Sequence, residues 1–534
     1  MFKAKLPFLF LACALLAIGC QSSSKRGLKG DKIVKINLGA EPCTLDPRKA
    51  RDSSSQALMR MLFEGLTRIG PNDLPELALA QSVEVSEDLK TYTFTLRPSE
   101  WSNGEPVKAS DFVYSWKSTL TPGFVSEYVF DLFLIKNGKA IKEGRMPMDQ
   151  LGAVAINDHT LLVELEYPTP YFLELVAFPV FFPINEELDR KNSSWALSGD
   201  SYICNGPFSL AQWRHHDLLL SEKNPHFWAS EEVEIDGIEM VMVQDDTEMK
   251  LFEKNQLHWA GSPLSAVPVD ELSHLKRCNK LHIQPISGTV FIRVNTQYGP
   301  LCHPKVRKAL ALAINRRAIV QHVTQGEQVP ATSLLPPSLK IGDGSYFEDG
   351  AVEDAQILFT EALSELKLDK STFPSITFTY GASQRNHLIA QAIQQQWNQS
   401  FGIDINLEGV ERKVYFDRIA HQDYQLAYGD WLADFNDPIN FLEVFKYKKR
   451  STNNTHWEDP RYMELLDRSC GLIEQDKRDK LLGQSEAILM EAMPIIPIYH
   501  HSMLYLKDQS LEGVLLTSLG HLDFRWAKLE NGDE

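Results

Sequence analysis

Basic charge is scarce in this chain: 54 lysines and arginines face 71 aspartates and glutamates, for a net charge of −17. That balance argues against a nucleic-acid partner, because phosphates need a basic face to neutralise them. Catalytic motifs are missing too. There is no Gly-x-Ser-x-Gly elbow, no His-Glu-x-x-His, no P-loop and no Gly-x-Gly-x-x-Gly after a strand, so hydrolase, zinc-protease and nucleotide readings lose their usual marks. No Cys-x-x-Cys occurs, which removes the zinc and thioredoxin-type readings. Histidines cluster only at His215-His216-Asp217 and His500-His501, and neighbours on a strand point to opposite sides, so neither group is a ready chelate. The expectation is a protein that is not an enzyme, with no cofactor and no bound metal.

Long apolar runs are absent after residue 19, and the one before it has a different use. Lys3 and Lys5 precede the apolar stretch Leu6 to Ile18, which closes on Gly19-Cys20. It is shorter than the roughly 20 residues needed to span a bilayer and ends on small residues, the pattern of a secretory signal peptide. Leu16-Ala17-Ile18-Gly19-Cys20 looks like a bacterial lipobox, so residues 1–19 are expected to be removed and Cys20 acylated. Residues 20–27 have almost nothing apolar to bury and read as a tether holding the protein at the membrane surface. Of seven cysteines, Cys43, Cys204, Cys278, Cys302 and Cys470 then remain, an odd number that leaves at least one unpaired in an oxidising compartment.

With 534 residues, 43% of them hydrophobic, the chain has material for more than one core. Residues 32–38 and 91–96 alternate with the period of a strand, and 160–165 and 238–243 read as strands of a mixed sheet. Residues 306–314, 388–397 and 462–493 read as helices, the last stopped by Pro494 before a strand at 495–499. The mixture predicts α/β domains with mixed sheets.

Several segments, taken in order, carry a resemblance. They are Glu41-Pro42-Cys43-Thr44-Leu45-Asp46-Pro47, Leu62-Phe63-Glu64-Gly65-Leu66-Thr67, Leu77 to Ser86, Tyr92 to Arg97, Trp101-Ser102-Asn103-Gly104-Glu105-Pro106-Val107 and Ala109 to Trp116. Asn205-Gly206-Pro207-Phe208, Lys223 to Trp228, Val306 to Leu310 and Asp430 to Pro438 follow. Together they resemble the peptide-binding, nickel-binding and related solute-binding proteins of ATP-binding-cassette importers, family 5. The resemblance implies a periplasmic-binding-protein-like fold of class II, cluster C, in which two lobes with mixed sheets close over a ligand and an extra domain is added. It implies lobe I at about 28–66, 190–285 and 505–534, domain II at 67–189 and lobe III at 286–504. The partners it implies are a peptide, the importer's membrane subunits and, through Cys20, the extracytoplasmic face of the membrane, with the protein itself a monomer.

It also implies a site. Asp434 matches the aspartate that holds a ligand's α-ammonium; the alternative on residue type is a turn cap in Asp-Phe-Asn-Asp-Pro. Tyr428, Gly429, Asp430, Trp431 and Leu432 match the stretch whose backbone pairs with a bound peptide as an added strand, with Ser53, Ser54 and Ser55 facing it. Trp431 supplies an apolar wall, whereas Trp101, Trp116 and Trp228 read as core. The carboxylate end departs from the family. Tyr428 stands where an arginine is expected, leaving Arg385, His387, Arg412, Lys413 and Arg418 as replacement cations or plain surface charges. Leu432 replaces a family half-cystine, so Cys278 either bridges Cys302 or stays free. A nickel chelate, haem, sugar or cell-wall peptide remains open within this fold, as does an enzymatic or adhesive role at the surface.

Overall fold

The computed structural model describes residues 28 to 530 except 29, 51, 200 and 449 to 451. The signal peptide, Cys20 and the tether lie outside the described residues, as do the side chains of Ser53 and Arg412. Among the described residues no helix is long and apolar enough to cross a membrane.

One large mixed sheet organises the protein. On one side, Ile33–Asn37 runs parallel to Gly237–Val241 and Trp259–Gly261, and the hairpin of Phe208–Arg214 and Leu218–Lys223 extends it. On the other side, Leu426–Leu432 lies antiparallel to His282–Val294, and Ile376–Gly381 joins it to Ile405–Val410. Two thirteen-residue strands, His282–Val294 and Ile495–Lys507, connect the halves. They pair from His282–Tyr505 to Arg293–Ile495, with a register break between Pro285 and Thr289. Across that break the Ser287 N–H donates to the Ser518 carbonyl at 2.6 Å. A β-bulge bends the strand that carries it, so the ribbon that joins the two halves is kinked at this point.

A separate four-stranded antiparallel sheet, ordered Ala80–Val85, Thr91–Leu96, Thr160–Glu164 and Ala153–Asn157, forms the third body. The helix Ala109–Leu120 accompanies it, with Phe112, Trp116 and Leu120 fully buried. Asp111 starts this helix by accepting the Lys108 N–H at 2.9 Å, which satisfies an orphan donor of the first turn.

Several of the motif residues have structural work to do. Asn205 exchanges two hydrogen bonds with the Glu64 backbone, and buried Glu64 pairs with Arg525 at 2.6 Å and accepts the Trp228 indole N–H. Gly206 must be glycine, because a Cβ there would lie 2.5 Å from the Leu62 backbone carbon. Asp46 and Asp189 together grip the buried Arg48 guanidinium. Trp101 and Trp116 are core, as expected; Trp228 is only partly buried and lies under the Arg97 guanidinium, 3.7 Å from its ring centre.

Two expectations need correction. The helix read over 462–493 is two helices, Pro460–Cys470 and Gln475–Ala492, split where Gly471 ends the first and its backbone carbonyls need new partners. Ser53–Ser55 is not an extended segment but the first turn of the helix Ser53–Leu62, capped by Asp52 accepting the Ser55 N–H. The open alternative for the cysteines also closes, since Cys278 and Cys302 both carry free thiols.

Candidate functional site

The strand Leu426–Leu432 has one covered edge and one open edge. Its pairing with His282–Val294 continues from Leu426 to Leu432. Its pairing with Ile376–Gly381 is confined to Leu426 and Ala427. Beyond Ala427 the edge of Tyr428, Asp430 and Leu432 therefore has no strand beside it among the described residues, and such an edge is a template for an added strand. Alternation assigns the other residues, Gly429 and Trp431, to the covered side. This matches the Ala433 N–H, which donates back to the Ser287 carbonyl at 2.8 Å.

The strand leads to Asp434. Asn440 holds this corner: its side-chain oxygen accepts the Trp431 indole N–H at 2.8 Å and the Asp434 N–H at 3.3 Å, and its amide donates to the Asp434 carboxylate at 3.4 Å. Burial pushes the Asp434 carboxyl up to about 6, with the Asn440 hydrogen bond opposing the rise. No lysine, arginine or histidine forms an ion pair with Asp434 among the described residues. A largely desolvated carboxylate without a cation is costly, and an arriving ammonium relieves that cost.

Next to it, the chain grips the rest of the protein. Phe435 stacks on Tyr171 at 4.6 Å with an interplanar angle of 8°. The Asn436 N–H donates to Glu174 at 2.6 Å, its amide donates to the Asp73 carbonyl at 2.9 Å, and its oxygen accepts from Ser518. Burial raises the Glu174 carboxyl to about 7 despite that Asn436 hydrogen bond. Asp437 is the turn residue, locked into a buried pair with Arg478 at 2.6 Å. A cavity of about 860 Å3 opens beside Phe435, with Phe130, Tyr171 and Lys446 in its wall.

The remaining expected residues divide. The Tyr428 hydroxyl meets Tyr499 at 3.1 Å, and burial drives its pKa far up while Arg385 opposes the rise. Arg385 stands in the first turn of Gln384–Phe401 with a buried Nε that has no hydrogen-bond partner among the described residues, and His387 in the same turn is engaged with Tyr380. Burial acts to raise the Asp430 carboxyl, but His501 and Arg293 outweigh it and hold it below its usual value. Leu432 is exposed and Trp431 half-buried beside Asn440. Arg418 is committed to Glu408 at 2.7 Å. Ser54 and Ser55 are buried, and their hydroxyls bond the Leu38 carbonyl and the Asp52 carboxylate. Of the histidines, His500 turns inward to Thr289 while His501 approaches Asp430, on opposite sides of their strand.

Three functional candidates had not been singled out: Asn440, Asn436 and Arg293. Arg293 had a signal, as the one charge within the otherwise uncharged run Thr289 to Val294.

The model of the bacterial extracellular solute-binding proteins, family 5, matches residues 75–453. The chain belongs to this family. The oligopeptide-binding protein OppA of Bacillus subtilis is 41% identical over 521 residues, covering 96% of each chain. The dipeptide-binding protein DppE of the same organism is 32% identical over 537 residues, covering 97% of each. Among solved structures, OppA of Listeria monocytogenes bound to peptide is 26% identical with a TM-score of 0.78, covering 94% of this chain and all of that one. The fold is thus the two-lobed, periplasmic-binding-protein-like α/β fold of this family.

Proposed function

We propose that this family 5 solute-binding protein captures peptides between two closing lobes and hands them to an ATP-binding-cassette importer. The observation that carries this reading is the open strand edge of Tyr428, Asp430 and Leu432, ending at a half-buried carboxylate that has no ion-pair partner among the described residues. Backbone pairing along the edge selects an extended chain without reading its side chains, and Asp434 selects an ammonium at one end. The similarity to the oligopeptide-binding and dipeptide-binding proteins of Bacillus subtilis supports peptide as the solute. Nothing in this scheme breaks a covalent bond, so the role is binding and delivery.

The domain reading carries over as a proposal: lobe I at 28–66, 190–285 and 505–534, domain II at 67–189, and lobe III at 286–504. The separate sheet at 80–164 and the two crossing strands at 282–294 and 495–507 support it. The Leu16 to Cys20 sequence supports export with a lipid anchor on Cys20. The test is native mass spectrometry of the purified protein, followed by thermal shift with di- to pentapeptide mixtures. Co-purified peptide, or a melting temperature raised by saturating peptide, is expected. No co-purified peptide together with no shift overturns the reading.

A further inference from the structure

The open edge is not empty. Arg293, on the strand His282–Val294, sends its guanidinium across Gly429 and donates to the carbonyls of Tyr428 at 3.3 Å and Asp430 at 3.4 Å. Those two carbonyls belong to the edge that has no strand partner among the described residues. The Tyr415 hydroxyl also donates to the Tyr428 carbonyl. Gly429 makes the crossing possible, because a Cβ there would lie 1.8 Å from the guanidinium. Both arginine contacts are longer than the 2.9–3.0 Å typical of N–H to oxygen bonds, so they are weak and easily exchanged.

We propose that Arg293 is a ligand-displaced lock that becomes the receptor for a peptide's terminal carboxylate. The proposal rests on the peptide-binding reading above. An incoming peptide needs the Tyr428 and Asp430 carbonyls for its own N–H groups. As it pairs, the guanidinium leaves them for the stronger, two-pronged bond that a carboxylate offers. The cation missing at position 428 is thus supplied from the neighbouring strand. Position sets the length as well. Asp430 and Tyr428 lie four and six residues before Asp434, so at about 3.4 Å per residue a peptide with its ammonium at Asp434 has its carboxylate near Arg293 when it is roughly four to six residues long.

The experiment is calorimetric titration of the full mature protein with a pentapeptide and with its C-terminal amide, repeated for Arg293→Ala and Arg293→Lys. Wild type is expected to prefer the free acid by roughly ten- to hundredfold. Arg293→Ala is expected to lose that preference by weakening the acid alone, with the amide bound as well as before or better because the lock is gone. Arg293→Lys keeps the charge without the fork and is expected to restore part of the preference. Equal binding of acid and amide by wild type, or an undiminished preference in Arg293→Ala, overturns the proposal while leaving peptide capture standing. Absence of binding by either peptide overturns both.

Discussion

Replacing Asp434 by asparagine separates what this residue does for binding from what it costs the fold. Its carboxyl rises from 3.8 to about 6 because burial disfavours the charge. At about 1.4 kcal/mol per pKa unit, that is about 3 kcal/mol against the native state at neutral pH for a sealed site. Part of the side chain remains open to the cleft, which reduces the figure to roughly 1–2 kcal/mol. A raised carboxyl pKa means the native state holds its proton more tightly than the unfolded chain. Native stability therefore improves as pH falls from about 6 towards 3.8, and the penalty is complete above 6. Asn keeps the size and the contact with Asn440 but removes the charge. Asp434→Asn is accordingly expected to be more stable than wild type without ligand at pH 7, with the gain fading to nothing by pH 4. Its affinity for a free peptide should fall by roughly a hundredfold, because the ammonium loses its charged partner. Differential scanning calorimetry at the two pH values and titration calorimetry with peptide check both halves. A variant no more stable than wild type at pH 7 that also retains its affinity refutes the reasoning.

Three further outcomes follow from the same contacts. Asn436→Ala removes the side-chain hydrogen bonds to Asp73 and Ser518 and keeps the backbone N–H that donates to Glu174; at about 1 kcal/mol each, the closed state loses about 2 kcal/mol, and peptide titration should show Kd rising roughly tenfold with a more open envelope in small-angle scattering. Arg478→Met leaves Asp437 charged and buried without its partner, and urea unfolding should record a loss of about 3–5 kcal/mol. His500 is held neutral by burial, its pKa lowered to about 3; a lowered histidine pKa gives stability that is present above 6.5 and lost as pH falls, at about 1.4 kcal/mol per unit. His500→Gln should therefore flatten the loss of denaturant stability between pH 6.5 and 5 by about 2 kcal/mol.

The sequence exposed the parts of this protein that short-range physics determines. Period-two alternation at 91–96 marks a strand that buries one face, whereas 160–165, read as a strand of a mixed sheet, is a strand of the antiparallel four-stranded sheet, because strand direction depends on pairing and not on local pattern. Glu64, Asn205, Gly206 and Trp228 are recognisable because a buried ion pair and a close backbone approach tolerate few residue types. Asp434 and Asp437 sit three residues apart in one turn-rich segment, and only tertiary contacts tell them apart: Asp437 faces Arg478, and Asp434 has no ion-pair partner among the described residues. Ser53–Ser55 misled because serines suit an extended edge and a helix start alike, and the Asp52 cap decided it. Arg293 was hidden for a different reason. It reaches the site across a neighbouring strand 135 residues away in sequence, over a glycine whose significance appears only when the two strands are paired.

The most direct test of the central claim compares one pentapeptide with a free α-ammonium and the same peptide N-acetylated, titrated into the mature protein at pH 7. Capture at the open edge with the ammonium on Asp434 predicts tight binding of the free peptide and a loss of roughly a hundredfold on acetylation. Equal affinity for the two would contradict it.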